Sequence, residues 1–189
     1  MSLIAPGRNI VLIGLMGSGK STVGRVLAQR LGRPFVDTDE IVQRETGRSI
    51  AELFAAVGER DFREHEAAAV RWVSALRGQV IAVGGGAVLD PRNVTQLRAT
   101  GEMVLLTAPP DVLRVRLEAA GVASRPLLDG EPDLAARLAA LGEERADAYK
   151  AAASTSVDST GRSPEEVAAE IHAWARSRPG LLSREELDP

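Results

Sequence analysis

The sequence predicts an α/β fold built on a parallel sheet, and three observations carry that prediction. Short apolar runs alternate with longer stretches of helical periodicity, the first run ends in a glycine-rich loop that opens a helix, and the second ends in two closely spaced carboxylates. The first run, Asn9 to Ile13, stops at Gly14. Lys20 to Leu31 then places Val23, Val26, Leu27 and Leu31 on one helix face before Gly32 ends it. Arg33-Pro34-Phe35-Val36 reads as a second strand, and a strand, helix, strand succession implies a right-handed parallel crossover. The alternation continues with Val80 to Val83 before a glycine triplet, Met103 to Leu106 before Pro109-Pro110, and Ser154 to Val157 before Gly161, which makes five strands. Helices are read at 39–46, 50–76, 92–99, 111–119, 133–150 and 164–177.

A chain of 189 residues suits one domain, expected over residues 1–177. Gly121 to Pro132 carries Gly121, Pro126, Gly130 and Pro132 without periodicity and reads as a mobile loop between two helices. Beyond the last helix, residues 178–189 mix Pro, Gly and charge and are expected to form a frayed, flexible tail.

Composition excludes several classes of function. The hydrophobic fraction of 44% and charged fraction of 26% fit a packed globular protein. A net charge of −3 with dispersed basic residues argues against a nucleic-acid partner. No apolar run approaches the roughly 18 residues that span a bilayer, and Met1 to Asn9 lacks a signal-peptide core, so a cytoplasmic, monomeric enzyme is expected. With no cysteine, there is no disulfide, thiolate nucleophile or Cys-based zinc site. Only Lys20 and Lys150 among the 23 basic residues are lysine, which makes each position informative.

One of those lysines falls in Gly14-Leu15-Met16-Gly17-Ser18-Gly19-Lys20-Ser21, which fits G-x-x-x-x-G-K-[ST] between a strand and an amphipathic helix. Glycines let the backbone curl so that successive N–H groups, here of Gly17, Ser18, Gly19, Lys20, Ser21 and Thr22, face phosphate oxygens at a helix N-terminus. Lys20 supplies a compact charge to the β and γ phosphates, and the Ser21 hydroxyl suits Mg²⁺. No N-K-x-D motif for reading guanine is present, so ATP is the expected nucleotide.

Asp37-Thr38-Asp39 follows the second strand, on the sheet edge that carries the phosphate loop. Asp37 can approach the metal shell while Asp39 addresses an acceptor hydroxyl, whose proton must be taken as the O–P bond forms. The competing reading is a helix cap at Thr38 or Asp39.

In this order the phosphate loop, Asp37-Thr38-Asp39, Phe62-Arg63-Glu64-His65-Glu66, Gly84-Gly85-Gly86 and Arg125-Pro126-Leu127-Leu128 resemble shikimate kinase over most of residues 9–175. The resemblance implies a P-loop kinase fold of three layers, strand order 2-3-1-4-5, with a lid at about 119–132. It also implies ATP-dependent phosphorylation of the 3-hydroxyl of shikimate, with Mg²⁺, in chorismate and aromatic amino-acid biosynthesis. By resemblance, Asp39 binds shikimate and acts as base, Asp37 lies near Mg²⁺, and Arg63, Gly85 and Arg145 hold shikimate. A guanidinium fork suits the carboxylate of that acceptor. Arg125 matches the lid arginine that reaches the transferring phosphates, and Arg162 falls in a stretch resembling the adenine-side loop. The lid segment Ala119 to Ser124 departs from the family in lacking basic residues ahead of R-P-L-L, which leaves Arg116 as the alternative for packing on adenine.

Read without the resemblance, Arg63 and Arg145 are solvated helix residues beside Glu66 and Glu144. His65 and His172 lie outside the motifs and carry no role, while Trp72 and Trp174 read as core residues. The rival functions are another small-metabolite kinase of the same fold, such as one acting on gluconate, and a nucleotide-binding module without turnover.

Overall fold

The computed structural model describes residues 7–121 and 133–187. Five strands, β1 (Asn9–Ile13), β2 (Phe35–Asp37), β3 (Val80–Ala82), β4 (Gly101–Thr107) and β5 (Thr155–Asp158), form one sheet in the order β2-β3-β1-β4-β5. Every pairing is parallel, with Val11 opposite Ile81 on one side and Met103 on the other.

Helices cover both faces, and the period-two alternation of the strands explains how. Val11, Ile13, Ile81 and Met103 face one core, filled from α2 (Thr38–Thr46), α3 (Ile50–Ser74), α4 (Pro91–Thr100) and α6 (Leu134–Ala152). Their neighbours Ile10, Leu12, Val80 and Val104 face the opposite core, filled from α1 (Lys20–Leu31) and α7 (Pro164–Arg176). Helix α5 (Pro110–Ala120) packs Leu113 and Leu117 on Leu138 and Leu141 of α6. Since all strands run one way, their C-terminal ends put Gly14, Asp37, Gly84, Thr107 and Asp158 along one edge, and the chain reverses direction across the sheet at β1.

Three expectations are corrected. The tail after Arg178 is not frayed: Leu181 and Leu182 are buried, and α8 (Arg184–Leu187) brings Glu186 to Arg33. Buried Arg33 donates to Glu186 at 2.5 and 2.9 Å and to the carbonyls of Arg8 and Leu181, each at 2.8 Å, so it fastens the segments at Arg8 and at 181–186 to the entrance of β2. The three leucines of residues 178–189, two of them adjacent, give no periodic signal of this docking. Trp72 is not a core residue, being 49% exposed on α3. Finally, the long helix read at 50–76 is bent: Gly58 takes φ 78°, ψ 175°, a conformation glycine alone adopts readily, so α3 consists of two arms. The segment expected to form the lid, with Arg125, lies outside the described residues from residue 122 to 132.

Candidate active site

The phosphate loop begins where β1 ends. Gly14, Gly17 and Gly19 have φ of 140°, 79° and 95°, so the curl rests on glycine at each of these turns. Lys20 opens α1 and folds its Nζ onto the carbonyls of Gly14 and Leu15, at 2.9 and 3.0 Å. The buried Ser18 hydroxyl has no partner.

One turn into the site, Ser21 Oγ donates to Asp37 Oδ2 at 2.6 Å. Asp37 also caps α2, its Oδ1 accepting from the Asp39 N–H at 3.0 Å. The cap is therefore Asp37, not Thr38 or Asp39. Thr38 instead accepts the Gly84 N–H at 3.1 Å, which ties the start of α2 to the glycine triplet. Asp39 lies in the first turn of α2 rather than on extended backbone.

The two arms of α3 wrap a cavity of about 80 Å³ against the glycine triplet and α6, lined by Ile50, Phe54, Phe62, Arg63, Glu66 and Arg145 among others. Bending at Gly58 lets Phe54 of the first arm meet Phe62 of the second, ring centroids 5.5 Å apart. Arg63 donates to Glu66 at 2.9 Å and Glu59 at 3.0 Å. Burial pushes the Glu66 carboxyl above its usual range, aided by Asp39 and only partly opposed by Arg63 and Arg145. Burial disfavours the charge on Arg63, but Glu66 and Glu59 more than compensate and raise its pKa.

The triplet Gly84-Gly85-Gly86 has no positive φ, so its glycines serve close approach rather than unusual backbone geometry. A Cβ on Gly84 would overlap Glu66 Oε1, and one on Gly86 would stand 2.6 Å from Arg63 Cζ. Gly85 is different, with Gly14 O, Tyr149 Oη and Arg145 Nη1 the nearest atoms at 3.5 to 3.7 Å from a Cβ there. Arg145 is buried on α6, and its Nε lacks a partner.

A second, larger cleft of about 440 Å³ follows the phosphate loop to α5 and the loop after β5, lined by Gly17 to Val23, Asp37, Arg116, Ser159 and Arg162. Arg116 donates to Ser159 Oγ at 2.9 Å and Ser159 O at 2.6 Å, and Ser159 Oγ donates in turn to Ser18 O at 3.2 Å. Arg162 is held along α7 by donating to Glu170 at 2.6 Å and to the Glu166 carbonyl at 3.2 Å. Met16, Lys20 and Asp39 line both spaces, so the two cavities meet at a lysine and a carboxylate.

The shikimate kinase family model matches residues 16–176. The chain belongs to the shikimate kinase family. A shikimate kinase of Symbiobacterium thermophilum is 51% identical over 163 residues, covering 86% of this chain and 93% of the relative. One of Geobacter sulfurreducens is 46% identical, covering 93% and 95%. Among solved structures, shikimate kinase from Acinetobacter baumannii in complex with shikimate superimposes with a TM-score of 0.85 at 32% identity, over 90% of this chain and 93% of that one. A gluconokinase from Sinorhizobium meliloti, with a TM-score of 0.56 at 23% identity, shares the fold.

For a member of this family, the residues singled out from the sequence divide between the two cavities. Arg63, Gly85 and Arg145 line the smaller one, Gly17, Ser18, Gly19, Ser21, Thr22, Asp37 and Arg162 the larger, and Lys20 and Asp39 their junction. Arg63 and Arg145 are thus not the solvated residues their local sequence suggests. Sequence reasoning gave no role to Glu66, Phe54, Phe62 or Ser159. Phe62 and Glu66 carried a signal, as the first and last residues of F-R-x-x-E around Arg63.

Proposed function

We propose that this chain transfers the γ-phosphoryl group of ATP to the 3-hydroxyl of shikimate, giving ADP and shikimate 3-phosphate for aromatic biosynthesis. The observation that carries the reading is the meeting of the two cavities at Lys20 and Asp39, with two arginines lining the smaller one. The larger cleft takes ATP, its phosphates on the backbone of Gly17 to Thr22 and its adenine side toward Arg162 and Arg116. The smaller takes shikimate, its carboxylate between the guanidinium groups of Arg63 and Arg145 and its ring against Gly85.

Asp39 accepts a hydrogen bond from the 3-hydroxyl and takes its proton as the new O–P bond forms. The bridging bond between β and γ phosphates breaks in line, and ADP leaves with the electron pair. Lys20 leaves the carbonyls of Gly14 and Leu15 for the more strongly attracting phosphate oxygens. Arg125 adds a second cation from the lid, and lid closure excludes water that would otherwise accept the phosphoryl group.

Ser21 and Asp37 fit Mg²⁺: a hydroxyl and a carboxylate oxygen already 2.6 Å apart form a hard-oxygen pair beside the phosphate loop. Among the described residues no group of three or more acids or histidines could hold a metal, which suits an ion that keeps water and phosphate oxygens as its remaining ligands. When bound, Mg²⁺ neutralises charge on the β and γ phosphates. The enzyme is read as a cytoplasmic monomer acting on small molecules; among the described residues no helix is long and apolar enough to cross a membrane.

ADP release measured in parallel with shikimate, quinate and gluconate tests the assignment. Turnover that depends on shikimate and is at least tenfold more efficient than with the other two is expected. Equal or greater efficiency with gluconate transfers the site to a sugar-acid kinase, and ADP release that ignores all three refutes an acceptor site of this kind.

A further inference from the structure

Arg145 and Tyr149 are four residues apart on α6, so their side chains leave the same face of the helix. Tyr149 is buried, its ring part of the core beneath the glycine triplet. Its hydroxyl donates to the Gly85 carbonyl at 2.6 Å and stands close enough to the Arg145 guanidinium for that charge to act on it. The phenol oxygen therefore holds the glycine at the wall of the acceptor cavity, with Arg145 Nη1 beside that same glycine.

The polar groups of the triplet show why this matters. Gly84 O and Gly86 O accept from the N–H of Ala87 and Leu89, each at 3.0 Å, as local turns do. Among the described residues, Gly85 O is engaged from α6 alone. On the donor side, the Gly84 N–H goes to Thr38, whereas no described protein group accepts from the N–H of Gly85 or Gly86. Arg145 Nε is likewise buried and unpartnered. The wall thus leaves donors for a ligand, and the one carbonyl beside them that would repel an anion is occupied by Tyr149. Burial pushes the Tyr149 hydroxyl up to about 12, against the lowering influence of Arg145, so it stays protonated and able to donate.

We propose that Tyr149 is a positioning residue for the carboxylate end of the acceptor: its hydroxyl quenches the Gly85 carbonyl and fixes the Arg145 guanidinium at the cavity wall. The proposal rests on the reading of that cavity as the shikimate site. Wild-type turnover of shikimate tests that reading separately. Loss of the hydroxyl in Tyr149→Phe frees the Gly85 carbonyl to face the anion and releases Arg145, while the ring keeps its packing.

The experiment is steady-state kinetics of wild type and Tyr149→Phe with shikimate and with its carboxamide, in which the anion is absent. The expected result is a KM for shikimate raised about tenfold, with kcat within about twofold, KM for ATP unchanged, and KM for the carboxamide equal in the two proteins. An unchanged KM for shikimate overturns the proposal, as does an equal loss with both acceptors, which marks a structural role. Should the variant fail to fold, the only tyrosine of the chain permits an alternative, uniform replacement by 3,5-difluorotyrosine. Fluorination acidifies the phenol without changing its packing. Arg145, Glu66 and Arg63 are the charged groups around the phenol, and the wild type carries the same three, so it serves as the reference for their own titration. The fluorinated enzyme is expected to lose shikimate affinity at a lower pH than the wild type, as the phenolate ceases to donate. Parallel pH profiles of the two refute the proposal.

Discussion

Alanine at each position of the glycine triplet separates the acceptor site from the fold, because the three positions face three different neighbours. Gly86 has φ −95°, ψ −8°, which any residue adopts, so Gly86→Ala acts through its added methyl and not through the backbone. That methyl would stand 2.6 Å from Arg63 Cζ and 2.7 Å from Nη2. Ordinary carbon contact begins near ~3.5 Å, so the guanidinium must retreat by about 1 Å. Charge-assisted hydrogen bonds of the kind Arg63 offers a carboxylate contribute roughly 1.5 to 3 kcal/mol, so their loss raises KM for shikimate by roughly 10- to 150-fold. Gly85→Ala meets protein only at ordinary contact distance, 3.5 to 3.7 Å, and therefore leaves the melting temperature near wild type while its methyl intrudes on the acceptor. Gly84→Ala collides with buried Glu66 and stands 2.9 Å from Asp39 Oδ1, so it lowers both stability and kcat. A coupled ADP assay with either substrate varied, together with thermal melts, reads all three. Unchanged KM for shikimate in both Gly85→Ala and Gly86→Ala would refute the placement of the acceptor against this triplet.

Three further outcomes are expected. Asp39→Asn keeps the shape but not the base and lowers kcat by about 10² to 10⁴, with KM for ATP little changed; a kcat within tenfold of wild type removes Asp39 from proton transfer. Asp37→Asn caps α2 about as well as Asp, so stability is retained while the Mg²⁺ concentration for half-maximal activity rises about tenfold; an unchanged Mg²⁺ titration withdraws Asp37 from the metal shell. Burial favours the neutral form of Glu186, but hydrogen bonds from Arg33 and the Ser183 N–H prevail and hold its carboxyl below the usual 4.5. A depressed carboxyl contributes stability that is present above about pH 4.5 and lost as pH falls through its folded value. Glu186→Gln is therefore destabilised by roughly 1.5 to 3 kcal/mol at neutral pH, and the gap from wild type closes on acidification; a gap independent of pH contradicts the assignment.

The fold was legible because its signals are local and repeated. Gly14 and Gly32 bracket a loop and a helix, and the continuous apolar runs of β1 and β3 announce a sheet covered on both faces. Lys20, Ser21 and Asp37 were legible for the same reason, since each sits within a few residues of a strand end. Arg63 and Arg145 have local sequences indistinguishable from those of solvated helix residues, and only the resemblance to a family drew attention to them. What brings them together is the bend at Gly58 and the docking of α6 beside the triplet, neither of which leaves a periodic mark. The buried C-terminal segment escaped notice on similar grounds: Leu181 and Leu182 pack through contacts with residues that lie far away in sequence, and its anchor is a single arginine, Arg33.

The central claim is phosphoryl transfer to one hydroxyl at the junction of Lys20 and Asp39. Its most direct test is to incubate the enzyme with ATP, Mg²⁺ and shikimate and to locate the phosphate on the product by phosphorus–proton correlation. One ADP per product, with the phosphate on the 3-oxygen, is the predicted result; phosphate on another oxygen, or ADP formed at the same rate without shikimate, contradicts it.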